Sequence, residues 1–173
     1  ALLSFETSER VHVGSVALGT GSALVCGAGQ LIERFSHVGF IVSNLAQSID
    51  WYRDCLSLEV VFRQRQDNDY TRELVGIRGA VLEVAHLRVP TPTSRDGVAL
   101  ELIEYITPKG RGSDLAVNDL GATHVGFEVE NIHSLYGALK DKGVLFKSPP
   151  VAITAGANSG GYSVYLEDPD GNK

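Results

Sequence analysis

The chain carries one short block twice, and that repeat restricts its fold more than any other feature. Residues 36–45 read Ser-His-Val-Gly-Phe-Ile-Val-Ser-Asn-Leu, and residues 123–132 read Thr-His-Val-Gly-Phe-Glu-Val-Glu-Asn-Ile. His37-Val38-Gly39-Phe40 returns intact as His124-Val125-Gly126-Phe127, and Val42 and Asn44 return as Val129 and Asn131. Self-similarity of this quality marks two copies of one supersecondary unit.

Each copy opens on alternating apolar residues, which suits a strand, and then places Asn44 or Asn131 where a helix N-cap belongs. Leu45, Ile49, Tyr52 and Leu56 follow at helical intervals and predict one apolar stripe, matched in the second copy by Ile132, Leu135, Tyr136 and Leu139. Both helices lead into β-rich segments, Val60-Val61-Phe62 and Val144-Leu145-Phe146. Two further strands, 81–89 and 98–105, flank a turn-rich stretch at 90–97 and predict an antiparallel hairpin. The second copy has a corresponding third strand at 162–166 and a strong turn at Asp168-Pro169-Asp170-Gly171-Asn172.

The expected unit is therefore βαβββ, and the expected fold is α+β: two such modules forming a cupped barrel with a pseudo-twofold axis. The expected organisation is an N-terminal arm or added edge strand over 1–34, module one over 35–106, a glycine-rich linker over 107–121, and module two over 122–173. Module two stops at its turn, which leaves a bare sheet edge. The expectation is that the chain continues past Lys173, or that another chain supplies the strand. The glycines at 19, 21, 27 and 29 lack the strand-turn-helix setting that a dinucleotide loop requires.

Composition narrows the function classes. A formal net charge of −6 disfavours nucleic acid and anionic membrane surfaces as partners. No apolar run approaches the roughly 20 residues needed to cross a bilayer. Two cysteines, Cys26 and Cys55, are too few for a disulfide framework or a thiolate zinc site, so a reducing, cytoplasmic location is expected. The acidic neighbour Asp54 does nothing to activate the Cys55 thiol.

The repeat raises the standing of its histidines. Two imidazoles at equivalent places in paired units converge if both first strands line one cavity, and a carboxylate commonly completes such a divalent metal site. The carboxylate comes from residues 98–105, where alternation puts Glu101 on one face and Glu104 on the other without choosing between them. Glu101 lies four residues after the glycine of an Asp-Gly turn, and the same offset from Gly171 gives position 175. His86 shares a strand face with Val84 and Arg88, so it either lines the cup or has a surface or core role. His133 falls among polar neighbours on a helix, where exposure is expected. Arg63, Arg65 and Arg72 cluster around Asp67 to Asp69, in a solvated loop or facing an anionic substrate group.

In its paired His-Val-Gly-Phe strands, the helix Ser48-Ile-Asp-Trp-Tyr52-Arg-Asp-Cys-Leu56, the strand Leu100-Glu101-Leu102 and the turn Leu166-Glu-Asp-Pro-Asp-Gly-Asn172, the chain resembles the vicinal oxygen chelate superfamily. That superfamily includes glyoxalase I, methylmalonyl-CoA epimerase, extradiol dioxygenases, and fosfomycin and bleomycin resistance proteins. The resemblance implies one divalent ion (Ni, Zn, Co, Mn or Fe) held by His37, Glu101 and His124, with Glu101 as the visible catalytic carboxylate. A fourth ligand would fall beyond Lys173. The Arg that helps glyoxalase I hold glutathione, four residues after the first metal ligand, is Ile41 here, and the Asn four residues after the strand-four Glu is Tyr105; both departures argue against a glutathione adduct.

The expected function is a metal-dependent isomerase or lyase acting on a small substrate with a carbonyl and an adjacent oxygen, through an enediolate-like intermediate. The alternatives are an Fe(II) extradiol-type dioxygenase and a metal-free sequestering protein of the bleomycin-resistance type. The expected assembly is a homodimer, from the family's tendency to pair modules across subunits and the bare final edge.

Overall fold

The computed structural model describes residues 2–4, 35–90, 98–112 and 114–173. His12, Cys26, the glycines at 19–29 and the turn residues 91–97 lie outside the described residues. Along the chain the elements are β1 (Leu2–Ser4), β2 (His37–Ile41), α1 (Leu45–Leu56), β3 (Glu59–Gln66), α2 (Asp69–Val75), β4 (Val81–Arg88), β5 (Ala99–Thr107), β6 (Gly126–Glu128), α3 (Ile132–Asp141), β7 (Leu145–Phe146), β8 (Val151–Ala152) and β9 (Tyr162–Glu167). The class is α+β, with each copy of the repeat opening its own sheet.

The helices start where the repeat predicts. Asn44 has an extended backbone and accepts the Gln47 amide at 3.0 Å, and Asn131 accepts the Ser134 amide at 2.9 Å. Each cap satisfies an amide that the first helical turn would leave without a partner. Leu45, Ile49 and Tyr52 are buried along α1, as are Ile132 and Leu139 along α3, so the apolar stripes form the cores. The short α2 is an addition to the expected elements. Asn68 caps it by accepting the Thr71 amide at 2.9 Å, and Arg72 pairs with Asp67 and Asp69. Arg63 and Arg65 pair with Glu83, so carboxylates of the same module answer all three arginines.

Module one is a four-stranded sheet in the order β2-β5-β4-β3, with β2 parallel to β5 and the other pairs antiparallel. Module two has the order β6-β1-β9-β7, with β8 also pairing β9. Here β1 lies parallel to β6 and antiparallel to β9, the place β5 holds between β2 and β4. The N-terminal residues thus sit inside the sheet, between two partners, rather than at its edge. The register repeats too: Gly39 pairs with Glu101, whereas Gly126 pairs with Leu2. Lys173 reaches the mouth of the same slot, where its carbonyl accepts the Val125 amide at 3.0 Å.

The two cores meet through shared residues. Trp51 and Leu56 of α1, with Val125 and Phe127 around β6, pack against both buried clusters. Polar contacts reinforce the junction: the turn after β9 docks on module one through Asp170 Oδ2, which accepts the Ser43 amide at 3.0 Å, and through the Tyr52 hydroxyl on Asp168.

Candidate active site

Strand alternation, with burial, decides which carboxylate shares a face with His37. Leu100 and Leu102 of β5 are buried in the module-one core, which turns Glu101, Ile103 and Tyr105 to the opposite face. On β2, Val38, Phe40 and Val42 belong to the core side, so His37, Gly39 and Ile41 share the face of Glu101. Glu104 points the other way, where its Oε2 accepts the Leu45 amide at 2.8 Å at the start of α1 and its Oε1 accepts from Lys109 at 2.6 Å. Burial raises the Glu104 pKa, but the Leu45 amide and the Lys109 ammonium together outweigh it and hold the carboxyl below the usual range. Glu104 is thus a helix-terminus and ion-pair residue, and Glu101 is the carboxylate on the face of His37.

Glu101 sits between two imidazoles. Its Oε1 is 3.0 Å from His86 Nε2, and its Oε2 is 3.5 Å from His37 Nε2. The His37 and His86 ring centroids are 5.7 Å apart. Opposite the carboxylate is Gly39, where a side chain would begin 3.4 Å from Oε2. Glycine there leaves the carboxylate room. On the far side of His86, the Phe62 ring lies edge-on at 5.6 Å. Phe62, His86, Glu101 and Gly39 are in mutual register, one residue from each strand of the sheet.

His124 stands in the other half. It is exposed, and its ring lies edge-on to Tyr165 at 5.5 Å. This pair mirrors His37 and His86, because Tyr165 pairs with Leu2 as His86 pairs with Glu101. Leu2 therefore occupies the register in which module one carries its carboxylate. Of the residues expected from the sequence, the structure brings His37 and Glu101 together and adds His86 to them. Among the described residues, no group of three His, Cys, Asp or Glu side chains is arranged to hold a metal ion.

His86 was legible only as one of several possibilities, since strand parity does not say which face is the cup. Phe62 and Tyr165 gave no signal beyond their strand positions. His133 is exposed and stacks edge-on to Tyr162 at 4.6 Å, away from the carboxylate. Burial raises the pKa of the free Cys55 thiol, which suits a packing role rather than a nucleophile.

A cavity of about 520 Å³ opens beside the site. Gly39, Ile41 and Tyr105 form its strand wall, and Lys109, Arg111 and Thr123 contribute from the linker and the start of the second copy. Its size is within the range of small-molecule pockets. No helix among the described residues is long and apolar enough to cross a membrane.

Residues 34–173 match the sequence profile of the Glyoxalase/Bleomycin resistance protein/Dioxygenase superfamily. Over 139 residues the chain is 29% identical to a protein from Actinomyces sp. named 2-epi-5-epi-valiolone epimerase, a match covering 78% of this chain and 73% of that one. Among solved structures, a glyoxalase family protein from Bacillus cereus superposes with a TM-score of 0.61 at 22% identity, covering 79% of this chain and 84% of that one. A glyoxalase/bleomycin resistance protein/dioxygenase domain from Frankia sp. gives 0.56 at 24% identity, covering 81% and 92%. Glyoxalase I from Leishmania major gives 0.56 at 17% identity, covering 82% and 83%. At these identities the superpositions establish the fold.

Proposed function

Because the chain belongs to the Glyoxalase/Bleomycin resistance protein/Dioxygenase superfamily, we propose that it is a metal-dependent isomerase of the epimerase and glyoxalase type. Its substrate is a small compound with a carbonyl next to an oxygen-bearing carbon. The observation that carries this reading is the convergence of His37 and Glu101 on one sheet face, across from a glycine that leaves the carboxylate clear. The relative named as an epimerase supports isomerisation over the other chemistries of the superfamily.

The pair His37 and Glu101 fits a shared divalent ion. Two donors 3.5 Å apart can share one ion at bond lengths of about 2.0–2.1 Å, and one imidazole with one carboxylate is a combination that Zn, Mn, Fe, Co and Ni accept. In this proposal His37 and Glu101 would hold the ion, and His124, which this structure does not group with them, would be the third protein donor. When bound, the ion supplies Lewis acidity toward the substrate oxygens.

The chain's own residues do the rest. Glu101 Oε2 is the oxygen not engaged by His86, so it is placed to take the proton from the carbon next to the carbonyl. Return of that proton from Glu101 to the neighbouring carbon gives the positional isomer, whereas the epimer requires a second acid, a side chain or a water on the opposite face, to deliver a proton to the original carbon while Glu101 keeps the one it took. Ile41 and Tyr105 line the adjoining cavity and exclude water from the substrate, while Arg111 on the cavity wall offers donors to its oxygens.

The test is proton exchange. Metal-free protein reloaded with Co, Mn, Ni, Zn or Fe(II) is incubated in D2O with 2-epi-5-epi-valiolone, or with other small hydroxyketones, and followed by NMR. The expected result is metal-dependent deuteration next to the carbonyl, reduced about 10²–10⁴-fold in Glu101→Gln. Oxygen consumption with Fe(II) and ring opening of a catechol would instead identify a dioxygenase. Tight ligand uptake with neither exchange nor metal dependence would identify a sequestering protein.

A further inference from the structure

We infer that His86 is a positioning residue that fixes Glu101 by binding one carboxylate oxygen and leaving the other for the metal and the substrate. The inference rests on the metal reading above. His86 Nε2 lies 3.0 Å from Glu101 Oε1, within hydrogen-bond range, so its ring proton is committed to that oxygen. An Nε2 that donates to a carboxylate has no lone pair for a metal. This separates His86 from His37, whose Nε2 is 3.5 Å from Oε2, beyond a good hydrogen bond but near enough for both to share an ion.

Three further features of the fold support this role. His86 and Glu101 are direct cross-strand partners in the middle of the sheet, so the backbone ladder sets their spacing. From the neighbouring strand β3, Phe62 packs its ring on His86 in a T-shaped contact at 5.6 Å, on the side away from β5, which limits the ways the imidazole can turn from Glu101. The histidine is also specific to the half that bears a carboxylate: module two places Tyr165 at the corresponding position, and Leu2 in the register of Glu101. Hydrogen bonds to a ligating carboxylate orient it, and losing one typically costs 10–100-fold in metal affinity or activity.

The experiment is a cobalt chloride titration of metal-free protein, read by visible absorption, for the wild type and for His86→Ala, His86→Gln, His37→Ala and Glu101→Gln. Circular dichroism confirms folding of each. The inference expects His86→Ala to weaken cobalt binding about 10–100-fold while the spectrum at saturation keeps its wild-type shape, because the ligand set is unchanged. His86→Gln, whose amide still donates to Oε1, recovers most of the affinity. Wild-type affinity in His86→Ala, with loss in Glu101→Gln, would overturn the inference and leave the metal reading intact. A changed saturation spectrum in His86→Ala, with no recovery in His86→Gln, would make His86 a direct ligand and overturn it as well. If the wild type takes up no cobalt, the metal reading fails and the inference fails with it.

Discussion

The Tyr52 hydroxyl donates to Asp168 Oδ2 at 3.0 Å, joining a helix of the first module to the closing turn of the second across 116 residues of sequence. Asp168 is buried and also accepts the Asp170 and Asn172 amides through Oδ1 and the Asn172 side-chain amide through Oδ2. The carboxylate therefore organises its own turn and pins that turn to α1. The arrangement matters for the candidate site because the same turn borders the cavity beside it through Asp170, Gly171 and Asn172.

Replacing Tyr52 with Phe removes that donor and leaves the ring in place. Hydrogen bonds to charged groups contribute about 1.5–3 kcal/mol, so urea unfolding of Tyr52→Phe at pH 7 should show a loss of that order. Burial, with Asp168 beside it, pushes the Tyr52 pKa well above the ordinary phenol value. A raised pKa in the folded state stabilises fully below the unfolded value of about 10 and less as pH climbs past it. Wild-type stability should thus fall between about pH 10 and 11, with this component absent from Tyr52→Phe.

Glu104 gives the opposite pH dependence. Its carboxyl is held below the usual range despite burial, so its contribution is present above the unfolded pKa of about 4.3 and disappears as pH falls. Glu104→Gln should lose about 1 kcal/mol at pH 7 and match the wild type more closely below pH 4, as measured by thermal melts. Solvent-deuterium exchange activity should persist, because Glu104 points away from the site.

Gly39 is a steric control on the carboxylate. A Cβ there begins 3.4 Å from Glu101 Oε2, and the branched side chain introduced by Gly39→Val would push further into that space. The variant should fold, since β2 tolerates a branched residue, yet bind cobalt at least tenfold more weakly. Cobalt affinity equal to wild type would show that the space opposite Glu101 is not needed for the ion.

Light scattering should return twice the 18.6 kDa chain mass at micromolar concentration. The edge strand β3 presents Val60, Val61 and Phe62 at 43–52% exposure, an apolar row for a second copy to cover. A single chain mass across the concentration range would count against the dimer.

Much of this was legible in local sequence. The Asn caps, the stripes Leu45-Ile49-Tyr52 and Ile132-Leu139, and the β5 alternation are written in neighbouring residues, because helix and strand periods are short-range properties of the backbone. The repeat added His37 and His124 as a pair, since equivalent units place equivalent residues alike, and Glu101 entered from the alternation of its own strand and from the family resemblance. Helix α2 escaped because its two turns are capped and charged like a loop and bury only Thr71.

Local pattern and repeat were enough for two βαβββ modules and for the set of residues that could face a shared cup. Packing between distant segments selected which of them do. Glu101 and Glu104 differ by odd spacing on one strand, and only the core that buries Leu100 and Leu102 selects the first for the site and sends the second to cap α1. His86 joins Glu101 because β4 and β5 pair in a register set by the whole sheet, and Leu2 enters module two by a pairing between residues more than a hundred positions apart. Strand register depends on burial across the fold, which no local window of sequence contains.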